Sequence, residues 1–152
     1  MSKLPRPDGH HVVTPSFIVT GAGAVISFLE RAFGATVGER YEGPGGTIAH
    51  AEIRLGDSVV MCGDAGRGVG PMPAALSYYV DDAAAVDATY QRALAAGATS
   101  VTAPADQFYG YRSACVNDPG GNRWTICAVI ELVSAEESRR RMEALMKPGA
   151  AT

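Results

Sequence analysis

Side chains able to do chemistry fall into three short stretches of this chain. In HAEIRLGD, His50, Glu52 and Arg54 alternate with apolar residues. Residues two apart on a strand share a face. His50 and Glu52 therefore form an imidazole–carboxylate pair of the kind that moves protons near neutral pH. The same alternation also fits rim ion pairs, with His50 satisfying a hydrogen bond. In the second stretch Phe108, Tyr109 and Tyr111 surround Gly110 and precede Arg112. Aromatics of this kind suit a flat, partly apolar ligand whose carboxylate or phosphate meets Arg112. Equally, Arg112 fixes the loop before Asp118 and the tyrosines cover an edge. The third group is Cys62, Cys115 and Cys127, an odd number without CxxC spacing. That suits reduced thiols in a cytosol better than a disulfide frame.

These residues need elements to hold them. Val12–Val19 is a strand by its β-branched and aromatic content. Ala24–Phe33 has helical spacing at Val25, Phe28, Leu29, Ala32 and Phe33, and Gly34 follows as a left-handed cap. Thr36–Tyr41 is extended, Gly43–Gly46 turns, and Ile48–Leu55 with Ser58–Cys62 makes a hairpin. Residues 63–73 form a linker rich in glycine and proline. Leu76–Val80 is again a strand, and Asp81 and Asp82 open a helix over Ala83–Ala96 that Gly97 closes. Thr99–Ala103 is extended, and Tyr111–Asn117 and Arg123–Val129 flank the Asp118–Asn122 turn. Ser134 with Glu137 is a capping box for a last helix ending near Met146. Met1–His11 reads as a flexible lead, whose His10–His11 pair can touch a metal but is incidental in an exposed tail. GAGA (Gly21–Ala24) lacks the spacing of a nucleotide-binding loop.

The order of elements repeats. Ser16–Phe33 aligns with Ser77–Leu94 at a constant spacing of 61 residues, so that Val19 meets Val80, Val25 meets Val86 and Arg31 meets Arg92. The hairpins align at a spacing of 65, which matches Cys62 with Cys127 and His50 with Cys115. The chain is therefore expected to be one α+β domain of two βαβββ modules, residues 12–62 and 74–130, with a C-terminal helix over 134–146. Strand alternation sends Ala49, Ala51, Ile53 and Leu55 toward the module's helix and His50, Glu52 and Arg54 to the other face. Trp124 and Ile126 pair with Val59 and Met61 in the core, which leaves Val60, Cys62, Thr125 and Cys127 on the opposite face. His50, Cys62, Cys115 and Cys127 would then make a zinc-like donor set. Alternatively, the cysteines are small apolar fillers.

Composition narrows the function classes. The chain has 152 residues, 47% hydrophobic and 19% charged, which suits one domain with a true core. Thirteen basic and 16 acidic residues give a net charge of −3, with no surplus to neutralise phosphates or anionic lipid. No apolar run approaches the roughly 20 residues of a membrane span, and the lead has no signal-peptide core. A cytoplasmic protein without nucleic-acid or membrane partners is expected.

HAEIRLGDSVVMCGD (His50–Asp64), YVDDAAAVDATYQRALAAGA (Tyr79–Ala98) and YGYRSACVNDPGGNRWTI (Tyr109–Ile126) resemble the vicinal oxygen chelate superfamily. That group includes glyoxalase I, extradiol dioxygenases, fosfomycin-resistance enzymes and bleomycin-resistance proteins. The resemblance implies a cup between two curved sheets and, commonly, a homodimer. It places metal ligands on the first and last strands of each module, at positions held here by Thr14, Val60, Ala75 and Thr125. Methyl, isopropyl and hydroxyl groups are poor ligands for a divalent metal. The resemblance thus implies a small-molecule-binding protein of the bleomycin-resistance type without a metal cofactor. Tyr109, Tyr111, Arg112, Thr125, Cys62 and Cys127 would line its cup. The alternative is a lyase, isomerase or dioxygenase acting through His50 and Glu52 or through a divalent metal at an atypical site.

Overall fold

A computed structural model describes residues 4–149. The first module runs β1 (Ser16–Val19), α1 (Ala22–Phe33), β2 (Thr36–Glu42), β3 (Ile48–Leu55) and β4 (Ser58–Asp64). The second runs β5 (Ala75–Tyr79), α2 (Ala83–Ala95), β6 (Thr99–Asp106), β7 (Tyr111–Asn117) and β8 (Arg123–Val129), and α3 (Ala135–Met146) follows. Each module forms a four-stranded sheet, ordered β1-β4-β3-β2 and β5-β8-β7-β6. Its first and last strands are parallel and the other pairs antiparallel. The architecture is the expected α+β pair of βαβββ units.

Local chemistry accounts for most boundaries. Gly34 caps α1 at φ 66°, ψ 28°, a region that costs glycine little. Asp82 accepts a 2.8 Å bond from the Ala85 amide and starts α2, and Ser134 accepts from the Glu137 amide at 3.1 Å to start α3. Helix α1 has no cap of its own. The Asp64 carboxylate from β4 takes the amides of Gly21 and Ala22, both at 2.9 Å, and of Ile48 at 2.8 Å. Desolvation raises the Asp64 carboxyl, but these three N–H groups outweigh it and hold the acid below its ordinary range.

Several boundaries differ from the sequence reading. β1 begins at Ser16, not Val12, because the Thr14 hydroxyl bonds the His11 carbonyl at 3.1 Å and turns the chain away. β4 extends to Asp64, since Gly63 and Asp64 pair with Ile18 and Val19. β6 reaches Asp106 through Pro104, which falls at a register irregularity on an edge strand. Ala49 was expected to pack toward the helix, yet it is exposed. Tyr41 pairs with His50 and Glu42 with Ile48, so Ala49 is the extra residue of a bulge and Ile48 takes the core position.

The core lies between the sheets and their helices and is continuous across both modules. Helices α1 and α2 cross, and the repeat shows at the crossing. Arg31 donates to the Ala95 carbonyl and its repeat partner Arg92 to the Ala32 carbonyl, both at 3.2 Å. Each arginine thereby serves carbonyls at the other helix's C-terminal end. Phe33 stacks on Tyr78 with centroids 4.4 Å apart and meets Trp124 edge-on at 5.2 Å. In the β7–β8 turn, buried Asp118 accepts from the Gly120 and Asn122 amides, the Asn122 side chain and the Trp124 indole at 2.8–3.0 Å. That turn places Gly120 against module one, where a Cβ would lie 2.5 Å from Val25 and 3.0 Å from Val19.

Candidate functional site

Directly opposed residues in a ladder share a face, so the pairings assign each strand residue to one side. In module one Ala51 pairs with Cys62, Ile53 with Val60 and Phe17 with Cys62, all buried on the helix-packed face. The open face carries Glu52 opposite Met61 and Arg54 opposite Val59. In module two the helix-packed face carries Trp124 and Ile126. The open face carries Thr125 opposite Cys115 and Ser77, and Cys127 opposite Ser113 and Tyr79.

This corrects the expected cup. Val60 and Cys62 point into the core, and Val59 and Met61 stand on the open side. Cys62 pairs with Ala51 and Phe17 as Ile126 pairs with Ala114 and Tyr78, so Cys62 is equivalent to Ile126 and not to Cys127. By the same pairings His50 corresponds to Ser113. The hairpin alignment was one residue out of step for β4 and β8, a slip that moves those side chains to the other face, and two out of step for β3 and β7, which leaves the face unchanged. The four-member donor set does not converge. Burial pushes the Cys62 thiol up to about 11 and also raises that of Cys127.

His50 and Glu52 do stand together, with Nε2 of His50 3.8 Å from Oε1 of Glu52. The sequence reading missed their third neighbour. His10 reaches the same oxygen at 3.2 Å, and its side chain is only 11% exposed. The lead is not a free tail over its described part: Asp8–His10 lies across the open face of module one. Arg54 binds the Asp8 carbonyl and carboxylate, both at 3.1 Å. Gly9 has φ +79°, and a Cβ there would fall 2.6–2.8 Å from the Arg54 guanidinium and Val59. Nothing local in the sequence signals a contact between residues 42 positions apart.

On the open face of module two Tyr109 and Tyr111 come together, with centroids 5.3 Å apart, and Tyr79 joins them at 6.1 Å from Tyr111. Tyr79 is 60% exposed, Tyr109 40%. The neighbouring Tyr111, with burial and Cys127 adding to it, pushes the Tyr79 phenol up to about 12. Tyr79 was legible in principle, since it shares strand parity with Ser77. Thr125 and Cys127 lie on this face, with the Thr125 hydroxyl 3.8 Å from the Cys115 sulfur. Arg112 is turned elsewhere. Its guanidinium binds both Asp87 oxygens at 2.8 and 3.2 Å and Asp106 at 2.8 Å, tying α2 to the β6–β7 edge. A cation shared by two carboxylates is already compensated and is poorly placed to meet a ligand anion.

A cleft of about 400 Å³ opens between the modules. Val13, Pro15 and Val59 line one side, and Leu76, Tyr78 and Trp124 the other. His11, Asp57 and Ser77 supply polar groups, and Tyr79 stands at the margin shared with the aromatic face. The four positions implied for metal ligands do not fit a divalent ion. Val60 is buried in the core, the Thr14 hydroxyl is bound to a carbonyl, Ala75 has only a methyl group, and the Thr125 hydroxyl faces a thiol. Val59 and Met61, the neighbours of Val60 that face outward, offer no hard donor. Among the described residues no three His, Cys, Asp or Glu side chains are grouped to hold an ion. No helix of the described residues is long and apolar enough to cross a membrane.

Residues 10–126 match the family model of the Glyoxalase/Bleomycin resistance protein/Dioxygenase superfamily. An uncharacterised protein of Mycobacterium bovis is 35% identical over 141 residues, which cover 86% of this chain and 91% of that one. A glyoxalase/bleomycin resistance protein/dioxygenase from Nocardioides shares the fold with TM-score 0.63 and 19% identity, over 88% of this chain and 90% of that one. TioX from Micromonospora sp. ML1 gives TM-score 0.61 and 24% identity, over 82% of this chain and all (100%) of TioX. The duplicated module, its helix-to-helix crossing and the extent of these matches lead to one assignment: the chain belongs to the glyoxalase/bleomycin resistance protein/dioxygenase superfamily.

Proposed function

We propose that this protein binds a small, flat, partly apolar molecule without a conventional metal centre. The observation that carries the reading is a contrast between positions. The four places where the family resemblance sets metal ligands offer no strong donor, while exposed Tyr79 and Tyr109 flank half-buried Tyr111 and Tyr79 lines an apolar cleft. Exposed aromatic and aliphatic groups next to a cavity mark a surface for ligand contact. A second copy would complete the cup. Met72 and Val129 are 58% and 46% exposed, which is surface that a homodimer would cover. The charge balance and the absence of a spanning helix among the described residues favour a cytoplasmic protein without nucleic-acid or membrane partners.

One observation favours an enzyme as the second reading: Glu52 between His10 and His50 is an acid–base arrangement. Metal analysis and a thermal-shift ligand screen separate the two. Binding alone gives sub-stoichiometric metal and ligand responses that Tyr79→Ala and Tyr111→Ala diminish. Stoichiometric iron, zinc, manganese or nickel, or turnover lost in Glu52→Gln, would replace the binding reading with the enzymatic one.

A further inference from the structure

The ladders arrange the open face of module two into rows across three strands. Arg123 on β8 is flanked by Ala75 on β5 and Asn117 on β7. The next row is Ser77, Thr125 and Cys115, and the next Tyr79, Cys127 and Ser113. Tyr111 opposite Val129 closes the far end. The face is thus graded, with a guanidinium at one end, hydroxyls and thiols in the middle, and aromatic rings at the other end.

Arg123 differs from Arg112 in what it is free to do. Arg112 is held by two carboxylates. Arg123 is exposed and, among the described residues, takes part in no salt bridge. No carboxylate stands in the rows between it and the tyrosines. At about 3.3 Å per strand residue, the four steps from Arg123 to Cys127 span roughly 13 Å. The long arginine side chain can close part of that gap.

We propose that this face selects an elongated aromatic anion, with its carboxylate or similar head on Arg123 and its ring system against Tyr79 and Tyr111. The inference rests on the small-molecule-binding reading and adds to it a ligand class and a residue. A neutral hydroxyl and thiol floor discriminates little between ligands, so the cation at one end sets the charge preference and the rings supply contact area. Trp124 takes no part, since it lies on the helix-packed face.

The test uses three matched probes: biphenyl-4-carboxylate, biphenyl-4-carboxamide and biphenyl-4-methylammonium, titrated calorimetrically into the full chain. The carboxylate is expected to bind about tenfold or more tighter than the amide. Arg123→Gln should bring the carboxylate to the level of the amide, Arg123→Lys should keep most of the preference, and Tyr79→Ala should weaken every probe that binds. Circular dichroism on each variant checks that the fold is retained. Equal binding of carboxylate and amide, or a preference that survives Arg123→Gln, overturns the inference and leaves the binding reading standing. A preference lost in folded Arg112→Gln moves the head to that residue and also overturns it. If no probe binds to the wild-type protein, the binding reading falls and the inference falls with it.

Discussion

Among single residues, the three cysteines carry different chemistry because they occupy different faces. Cys62 lies in the core with its thiol pushed up to about 11 by burial, and Cys127 is buried beneath Tyr79. Cys115 is partly exposed. A disulfide reagent at pH 8 should therefore modify one thiol quickly, and Cys115→Ala should remove that phase while the other two wait for unfolding. Gly9 is a second test at this scale. Gly9→Ala places a methyl group against Arg54 and Val59 at a positive φ, at a cost of about 1 kcal/mol or more. The flexible guanidinium yields more readily than the sheet, so the Asp8–His10 strap should lift. Faster proteolysis within residues 4–13, with the melting temperature little changed, would register this. His50 and Glu52 were legible as neighbours because strand parity is local. His10 was not, because only folding brings it to Glu52.

Among elements, the β7–β8 turn and α3 make opposite predictions. Asp118 has four donors and is 5% exposed. Asp118→Ala strands the Trp124 indole and the Asn122 amide, and should cost roughly 2–4 kcal/mol in urea unfolding. Helix α3 buries no residue and is fastened by Glu137 with Arg140 and Arg141, and by Arg141 with Glu131. Arg140 and then Arg141 hold the Glu137 carboxyl down at about 2, against 4.5 unperturbed. A depressed carboxyl stabilises the fastened form above its unfolded value and loses that effect as pH falls toward its folded value. Far-ultraviolet circular dichroism should therefore show α3 fraying between about pH 4.5 and pH 2. Glu137→Gln should show the frayed signal already at pH 7. The capping box was readable from Ser134 and Glu137. The clamp by Arg141 on Glu131 and the Phe108 carbonyl was not, because it joins a helix to a loop 33 residues away.

For the whole molecule, the modules meet through their helices, and while Asp8–His10 lies on the open face of module one, that of module two is left to solvent or to another copy. The homodimer of the proposed function is checked by light scattering after size exclusion. A mass near twice the 15.8 kDa chain is expected, and Met72→Glu on the exposed surface should shift it toward one chain. The reciprocal arginines supply an internal test. Arg31→Ala and Arg92→Ala each remove a side-chain bond to a carbonyl across the helix crossing, at about 1 kcal/mol apiece. Arg92 should cost the more, because it also holds Thr89 at 2.9 Å.

The sequence by itself determined the duplication, the α+β class and nearly all elements, because helical and strand periodicities, caps and turn glycines are written in neighbouring residues. It also determined that the expected metal-ligand positions hold weak donors. Val59 and Met61, which stand outward in place of Val60, are no harder as ligands. Tertiary structure alone decided which face of β4 met the core. The two hairpins differ by a single residue, and only the ladder pairing of Cys62 with Phe17 and Ala51 fixes where that residue is absorbed. It likewise decided which arginine was free. Arg112 and Arg123 look alike in sequence, but Asp87 and Asp106 fold onto the first and leave the second uncompensated on the open face, because charge pairing depends on distance in space and not along the chain.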